Sequence, residues 1–434
     1  MEAKKVAVVG GGLGGLATAA LLARGGCAVT LYERSKHLGG RAQTTDVEGF
    51  RFNLGPHALY RAGAGMRVLG RLGVKPRGRV AGESGGSYAL RAGRLHTLPR
   101  GPVSLLTTDV LQLSSKLEMA RLLASLRRVD TEPLTHVPMR QWLDTRMSRE
   151  DGRALVAALV RVATYASDLD ALSAEAAVTQ VQLAIEAGVL YLDDGWAALV
   201  DAVAAVAKAS GATLELSARV EGVVVEQGQV RGLRLSDGSV CAADAVVLAG
   251  SPRDVASLLP EDAVLAKEAE GATPIRAATL ELGLSRLPRS ESLFALGVDG
   301  PWYASVHSAY ARLGPEGGAM VHVMKYLSPS APEATEAELE AVMDALQPGW
   351  REVLVARRFR PALVVSHWLP TASTGGLSGR PAPAVPHVAG LFRVGDWVGG
   401  EGMLSDASFA SAESVERALL HHAEVAPRRL AVGA

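Results

Sequence analysis

Asparagine is almost missing from this chain of 434 residues. Its single copy, Asn53, is followed by Leu54 and Gly55, so there is no glycosylation sequon. Cysteine is nearly as scarce. Cys27 and Cys241 stand far apart, which excludes a disulfide framework and a C-x-x-C metal signature, and no metal is expected. No stretch reaches the ~18 consecutive apolar residues of a spanning helix. The opening MEAKKVAVVGGG has no long apolar run ahead of a cleavage site, so it does not read as a signal peptide. An excess of either charge is also lacking: Lys plus Arg and Asp plus Glu number 45 each, so no field draws in a nucleic-acid backbone and no nucleic-acid partner is expected. These absences leave a cytoplasmic protein as the expectation, with room for peripheral membrane contact. What the chain does have is apolar mass. At 48% hydrophobic and 21% charged residues it can bury a large core. Its length allows two or three domains of roughly 100–200 residues each.

The first sixty residues are the most informative. Val6-Ala7-Val8-Val9 reads as a buried parallel strand. Gly10, Gly11, Gly12, Gly14 and Gly15 follow, Leu13 sits among them, and an Ala/Leu-rich stretch to Ala23 favours a helix. Gly25-Gly26 stops it, and Val29-Thr30-Leu31-Tyr32 is a second strand ending at Glu33 and Arg34. This order is the dinucleotide fingerprint in its full context. Gly10 makes the tight turn, Gly12 lets backbone approach a pyrophosphate, and Gly15 lets the helix pack on the sheet. The helix N-terminus offers N–H groups to phosphate. Glu33 stands where an acid accepts hydrogen bonds from an unphosphorylated ribose, which fits FAD or NAD.

The segments after it narrow the choice. Leu38-Gly39-Gly40-Arg41 and then Gly49-Phe50-Arg51-Phe52-Asn53-Leu54-Gly55-Pro56-His57 resemble the flavoprotein group of amine oxidases, protoporphyrinogen oxidases and phytoene desaturases. The resemblance implies FAD as cofactor, with Gly40 and Arg41 at the pyrophosphate and Gly55, Pro56 and His57 near the flavin ring. Asp is frequent in that group where Asn53 stands. The end of the chain matches as well. Leu391-Phe392-Arg393-Val394 runs into Gly395-Asp396-Trp397, then Gly402-Met403-Leu404 opens a small-residue helix. By the resemblance Asp396 meets the ribityl chain and Met403 and Leu404 lie against the ring. In mid-chain, Val220 maps to the adenine. The implied fold is α/β: a Rossmann-like FAD-binding domain, discontinuous over 1–80, 190–255 and 380–425. A second, α+β substrate domain, with a mixed sheet and a helical insertion, would use 90–190 and 255–380, and 426–434 would be a tail.

In the insertions, Ser115 to Glu118 has a capping-box pattern, Ser148 and Ser173 are further helix starts, and Thr335 with Glu338 caps another. Ala277 to Leu284, Gly318 to Tyr326 and Ala362 to His367 read as strands. Val103 to Leu126 is apolar enough to meet a membrane or a greasy substrate, although core packing with one amphipathic face explains it too.

Chemistry follows from the cofactor. A substrate C–H is placed for hydride loss, and dioxygen or a quinone takes the electrons afterwards. Amine oxidases of the group carry a lysine on a substrate-domain strand; here the matching position is assigned to Arg276, which cannot act as a base. Met403 stands where tyrosine is frequent. Gly395-Asp396-Trp397 and the region from Tyr303 to Leu327 look closer to the phytoene-desaturase branch. A desaturase or dehydrogenase of a small apolar substrate, an isoprenoid or polyene, is therefore the expectation, with His57 and Arg276 as catalytic candidates. An amine oxidase or protoporphyrinogen-oxidase-like enzyme is the alternative, and a non-enzymatic escort protein of the same fold a remote one. Gly82-Glu83-Ser84-Gly85-Gly86 lacks the strand and helix of a nucleophile elbow. Lys325 reads as a solvated strand lysine, His307, His322 and His367 as buried and satisfied, and His421-His422 as an exposed pair.

Overall fold

The computed structural model describes residues 3–82 and 86–424, with side chains of the last helix up to residue 420. Glu83, Ser84 and Gly85, and the tail 426–434, lie outside the described residues, as do the His421 and His422 side chains.

The first strand, Lys5–Val9, is central in a parallel sheet of five strands. Ala28–Glu33 and then Thr213–Leu216 lie on one side of it, and Ala245–Leu248 and Leu391–Arg393 on the other. Its strands thus come from three distant parts of the chain. One face is covered by the helices Leu13–Arg24, Trp196–Ala209 and Leu404–Glu424, packed through Leu16, Leu22, Val203, Phe409 and Val415. Each such buried Leu or Val contributes about 1.5–3 kcal/mol. The other face carries an antiparallel meander, Val220–Glu226, Gln229–Leu235 and Val240–Ala242, over Ala7, Val246 and Leu248.

The second sheet has seven strands. From one edge they run Leu354–Ser366, Ile275–Leu284, Ala319–Tyr326, Trp302–Val306, Ser292–Gly297, Gly86–Arg91 and Arg94–Thr97. All pairings are antiparallel except that of Ser292–Gly297 with Gly86–Arg91. The start of the helical insertion therefore belongs to a sheet, because Gly86–Arg91 finds a free edge contributed from 200 residues downstream. Helices from Pro102 to Ala187 form their own core around Met119, Leu122, Trp142, Leu155 and Tyr326.

Two helix starts differ from the sequence expectation. Ser115 does not cap Leu113–Leu126; Gln112 occupies that place and Ser115 donates to Asp151 Oδ1 at 2.6 Å. Arg149, not Ser148, precedes Glu150–Thr164, while Ser148 donates to Glu118. In both cases a carboxylate brought near by tertiary packing takes the hydroxyl that would otherwise cap locally. Thr335 and Glu338 form the expected reciprocal box at Glu336–Leu346.

Candidate active site

A cavity of about 600 Å³ opens between the parallel sheet and the second sheet. Its first wall is the glycine turn. Gly10 has φ +110°, and a Cβ on Gly15 would stand 2.0 Å from the Gly10 carbonyl oxygen, so helix and turn touch backbone to backbone. Gly12 caps the helix Leu13–Arg24 with no side-chain acceptor, and a Cβ there would meet nothing within 4 Å. The first N–H groups of the helix consequently face open space, which is the arrangement an anionic phosphate fills. Glu33 is fixed at the end of its strand, accepting from Gly11 N at 2.6 Å and Ser35 N at 2.8 Å.

The centre is a charged clamp. Asp396 is buried and accepts both Arg41 Nη atoms at 2.9 Å, His367 N at 2.9 Å and His367 Nδ1 at 3.1 Å. Burial by itself would raise its carboxyl, but Arg41 and His367 outweigh that and hold it well below the usual carboxylate range. Arg41 also donates to the Val365 carbonyl at 2.7 Å. One side chain thus joins the Gly-Gly-Arg element, the last strand's end and the edge strand of the second sheet.

The far wall is different in kind. Pro56, His57, Tyr165, Trp196, Thr279, Met324 and Leu363 line it. His57 Nδ1 donates to the Gly55 carbonyl at 2.9 Å, and its ring lies 5.0 Å from that of Trp196. Burial lowers the His57 pKa, so its imidazole is neutral there. Tyr165, held at φ +61°, donates to the Pro56 carbonyl at 3.1 Å, and burial keeps its phenol protonated.

Of the residues singled out from the sequence, Gly10, Gly12, Leu13, Gly14, Glu33, Arg34, Gly40, Arg41, Pro56, His57, Val220, Gly395, Asp396 and Leu404 line this one cavity. Gly15, Gly55 and Gly402 stand behind it as close-contact backbone. Met403 does not lie against it: Gly402 and Leu404, at φ +67° and +55°, turn the chain so that Met403 packs into the helical core. Arg276 is exposed and off the cavity, and Thr279 is the residue of that strand which faces in. Lys325 is tied to Glu338 at 2.5 Å. His367, expected as a bland buried histidine, sits on the cavity with Asp396. No motif in its own segment marked it; only the partner 29 residues on does.

The pattern of the family described as flavin containing amine oxidoreductase matches residues 13–407. The chain belongs to that family. Its open helix N-terminus, the carboxylate of Glu33 at the strand end and the charged clamp fit the family's flavin, and FAD is the cofactor. Among relatives of this flavin oxidoreductase is the 4,4'-diaponeurosporene oxygenase of Staphylococcus aureus (strain USA300), 25% identical over 277 residues, 56% of this chain and 55% of that protein. The carotenoid 3,4-desaturase of Haloarcula japonica is 42% identical over 77 residues, 18% of this chain and 16% of its own length. The match thus spans about half, or less, of these relatives. An oxidoreductase from Methanosarcina mazei has the same fold, with a TM-score of 0.76 over 95% of this chain and 99% of its own at 20% identity.

Proposed function

We propose that this flavin oxidoreductase removes a hydride from an extended apolar substrate of the polyene or isoprenoid kind, as a desaturase or dehydrogenase. The observation that carries this reading is the far wall. It is built of Tyr165, Trp196, Met324, Leu363 and Pro56 together with His57 and Thr279, with no charged side chain among them. Such a wall accepts a greasy chain and offers an ammonium group no carboxylate. The names of the carotenoid-acting relatives point the same way. When bound, FAD supplies the hydride acceptor. In this reading Arg41, Glu33 and Asp396 hold the cofactor, and residues 1–80, 190–255 and 380–425 work as its domain. Trp196 and Tyr165 orient the substrate and exclude water, and His57, neutral and with its Nδ1 proton committed to Gly55, completes the wall beside them.

The same reading accounts for an exposed apolar face. Helices Pro102–Thr107 and Leu113–Leu126 bury Leu105, Met119 and Leu122 but leave Val103 75%, Leu106 70% and Leu113 73% exposed, with Leu117 beside them. No helix among the described residues is long and apolar enough to cross a membrane. We read this face as a peripheral contact through which a lipid-dissolved substrate is collected. The electron acceptor is assigned to the class of dioxygen or quinones.

Anaerobic bleaching of the flavin by detergent-dispersed polyenes and isoprenoids, set against primary and secondary amines, tests the reading. Bleaching by the apolar set is the expected result; bleaching by amines alone overturns it.

A further inference from the structure

Behind the cavity's far wall lies a buried polar cluster that neither cofactor binding nor substrate packing uses. Alternate residues of a strand share a face. Thr279 faces the cavity, so Glu281 follows it on the same face of Ile275–Leu284. Glu281 is fully buried. Its Oε2 accepts Arg358 Nε at 2.8 Å and Arg360 Nη1 at 2.9 Å, but its Oε1 has no hydrogen-bond partner among the described residues. Directly opposite in the strand pairing is His322, also fully buried, with neither ring nitrogen bonded. Its Nδ1 lies 3.6 Å from Glu281 Oε1, too far for a hydrogen bond. Thr279 Oγ1 is unbonded as well.

Unbonded polar atoms on neighbouring positions of one face form a track, not a scatter. Leaving such atoms dry is costly, and buried polar groups that lack protein partners hold water. A structural ion cluster would explain Oε2 and its two arginines; it does not explain the unbonded atoms that run from Oε1 back to the cavity. At the other end, Glu281 is bonded to Arg358 and Arg360, whose side chains are 20% and 26% exposed, so the cluster ends beside partly solvated groups.

The groups facing Glu281 leave it as the proton acceptor of the set. Arg358 and Arg360 come from the edge strand, and His322 from the opposite strand. His307 lies beyond, its ring 4.2 Å from that of His322 and stacked at 3.9 Å on Tyr191, and His57 stands on the cavity side. Burial depresses His322 to about 3 and His307 well below the ordinary range, so both are neutral, and the Glu281–His322 contact is not an ion pair. Burial raises the Glu281 carboxyl to about 6 against the pull of the two arginines and of the Gly55 backbone N–H.

We propose that Glu281 is the proton port of the cavity, acting through Thr279 and water held between Thr279, Glu281 and His322, and releasing to solvent beside Arg358 and Arg360. One substrate C–H leaves as hydride, a hydrogen nucleus with its electron pair, to the flavin. The neighbouring C–H, or the N–H of an amine, gives up a proton, and its electron pair becomes the new double bond. That proton crosses the Thr279 hydroxyl and the water to the Glu281 carboxylate, then passes to solvent, leaving Glu281 as it began. The inference rests on the hydride-removing reading but not on which substrate class is oxidised.

Infrared difference spectra against pH, on the FAD-loaded protein without substrate, give the first readout. A neutral-carboxyl carbonyl band titrating near pH 6, absent from Glu281→Gln, is expected; any band from buried Asp406 persists in that variant. No Glu281-dependent band overturns the proposal. Single-turnover bleaching gives the second, with whichever substrate class reduces the flavin. Glu281→Gln leaves two arginines without their acceptor, so Thr279→Val, whose hydroxyl has no protein bond to lose, is the deciding variant. It is expected to slow bleaching by about ten- to a hundredfold, to raise the solvent deuterium isotope effect and to keep the carbonyl band. Glu281→Asp is expected to restore part of the rate lost in Glu281→Gln. A Thr279→Val rate, pH profile and isotope effect equal to wild type would overturn the relay. Bleaching by amines alone would defeat the apolar-substrate reading and leave the relay standing.

Discussion

Arg41 and Asp396 are separated by 355 residues and meet through two parallel N–H···O bonds. Arg41 is partly exposed but Asp396 is buried, so removing Arg41 strands a buried carboxylate, which costs up to about 3–5 kcal/mol. Arg41→Met should therefore lower the thermal midpoint and purify without flavin colour, while Asp396→Asn, which keeps an acceptor, should lose less. Absorbance of the bound flavin and calorimetry check both. Asp406 carries the opposite electrostatics. It accepts from Gly65 N at 2.7 Å, but burial raises its carboxyl to about 7. The folded state then holds a proton that the unfolded chain releases near pH 4. Stability should fall as pH rises from about 4 to 7, by up to about 4 kcal/mol for a shift of about three units, and be flat above. Asp406→Asn should lose that slope, which urea unfolding at a series of pH values would show. A slope unchanged in Asp406→Asn would assign it to another group.

At the scale of elements, the glycine turn and the first helix work as one piece. Gly15→Ala places a Cβ 2.0 Å from the Gly10 oxygen, so the helix must lift from the sheet. We expect the variant to lose FAD affinity and about 1–3 kcal/mol of stability, measured by flavin titration and urea unfolding. Asn53 shows how an element is capped from a distance. Its Oδ1 accepts from Trp196 N at 3.1 Å and Thr44 Oγ1 at 2.7 Å, holding the start of Trp196–Ala209. A neutral amide suffices for that work, which is the physical content of the departure from aspartate. Asn53→Ala should cost about 1–2 kcal/mol, the range for a lost helix cap. The exposed helices are the third case. Leu113→Glu with Leu117→Glu should abolish flotation with anionic vesicles and leave the thermal midpoint unchanged, because both side chains already face solvent.

At the scale of the whole molecule, the cavity is walled by both sheets and lined by segments from Gly10 to Ser408, so a cofactor bound in it would tie distant parts of the chain together. A ligand that binds only the folded state stabilises it by about 2.7 kcal/mol at a hundred times its Kd. Stripping FAD should accordingly lower the thermal midpoint of the whole chain in one transition, and adding FAD back should restore it. A midpoint indifferent to FAD would mean that the cavity holds it loosely or that the two sheets unfold separately.

The sequence by itself determined the family, the cofactor and the first strand–turn–helix–strand unit. A strand, a glycine turn, a helix and an acid are local features whose spacing is set by backbone geometry, so Gly10, Gly12 and Glu33 were legible without coordinates, and Gly395-Asp396 was legible through its resemblance. Strands such as Ile275–Leu284 and Ala319–Tyr326 and the box at Thr335 were legible for the same reason. Only the tertiary structure decided which residues of distant segments face one another. It turned Thr279 inward and Arg276 outward, because a strand presents alternate faces and the core-facing one is fixed by the sheet it joins. It turned Met403 away from the cavity, gave Gly86–Arg91 a partner edge, took Ser115 and Ser148 from their helix starts and set His367 on Asp396. It also placed Glu281 opposite His322. A pairing register between strands 40 residues apart is a property of the packed sheet, and no local pattern in either segment carries it.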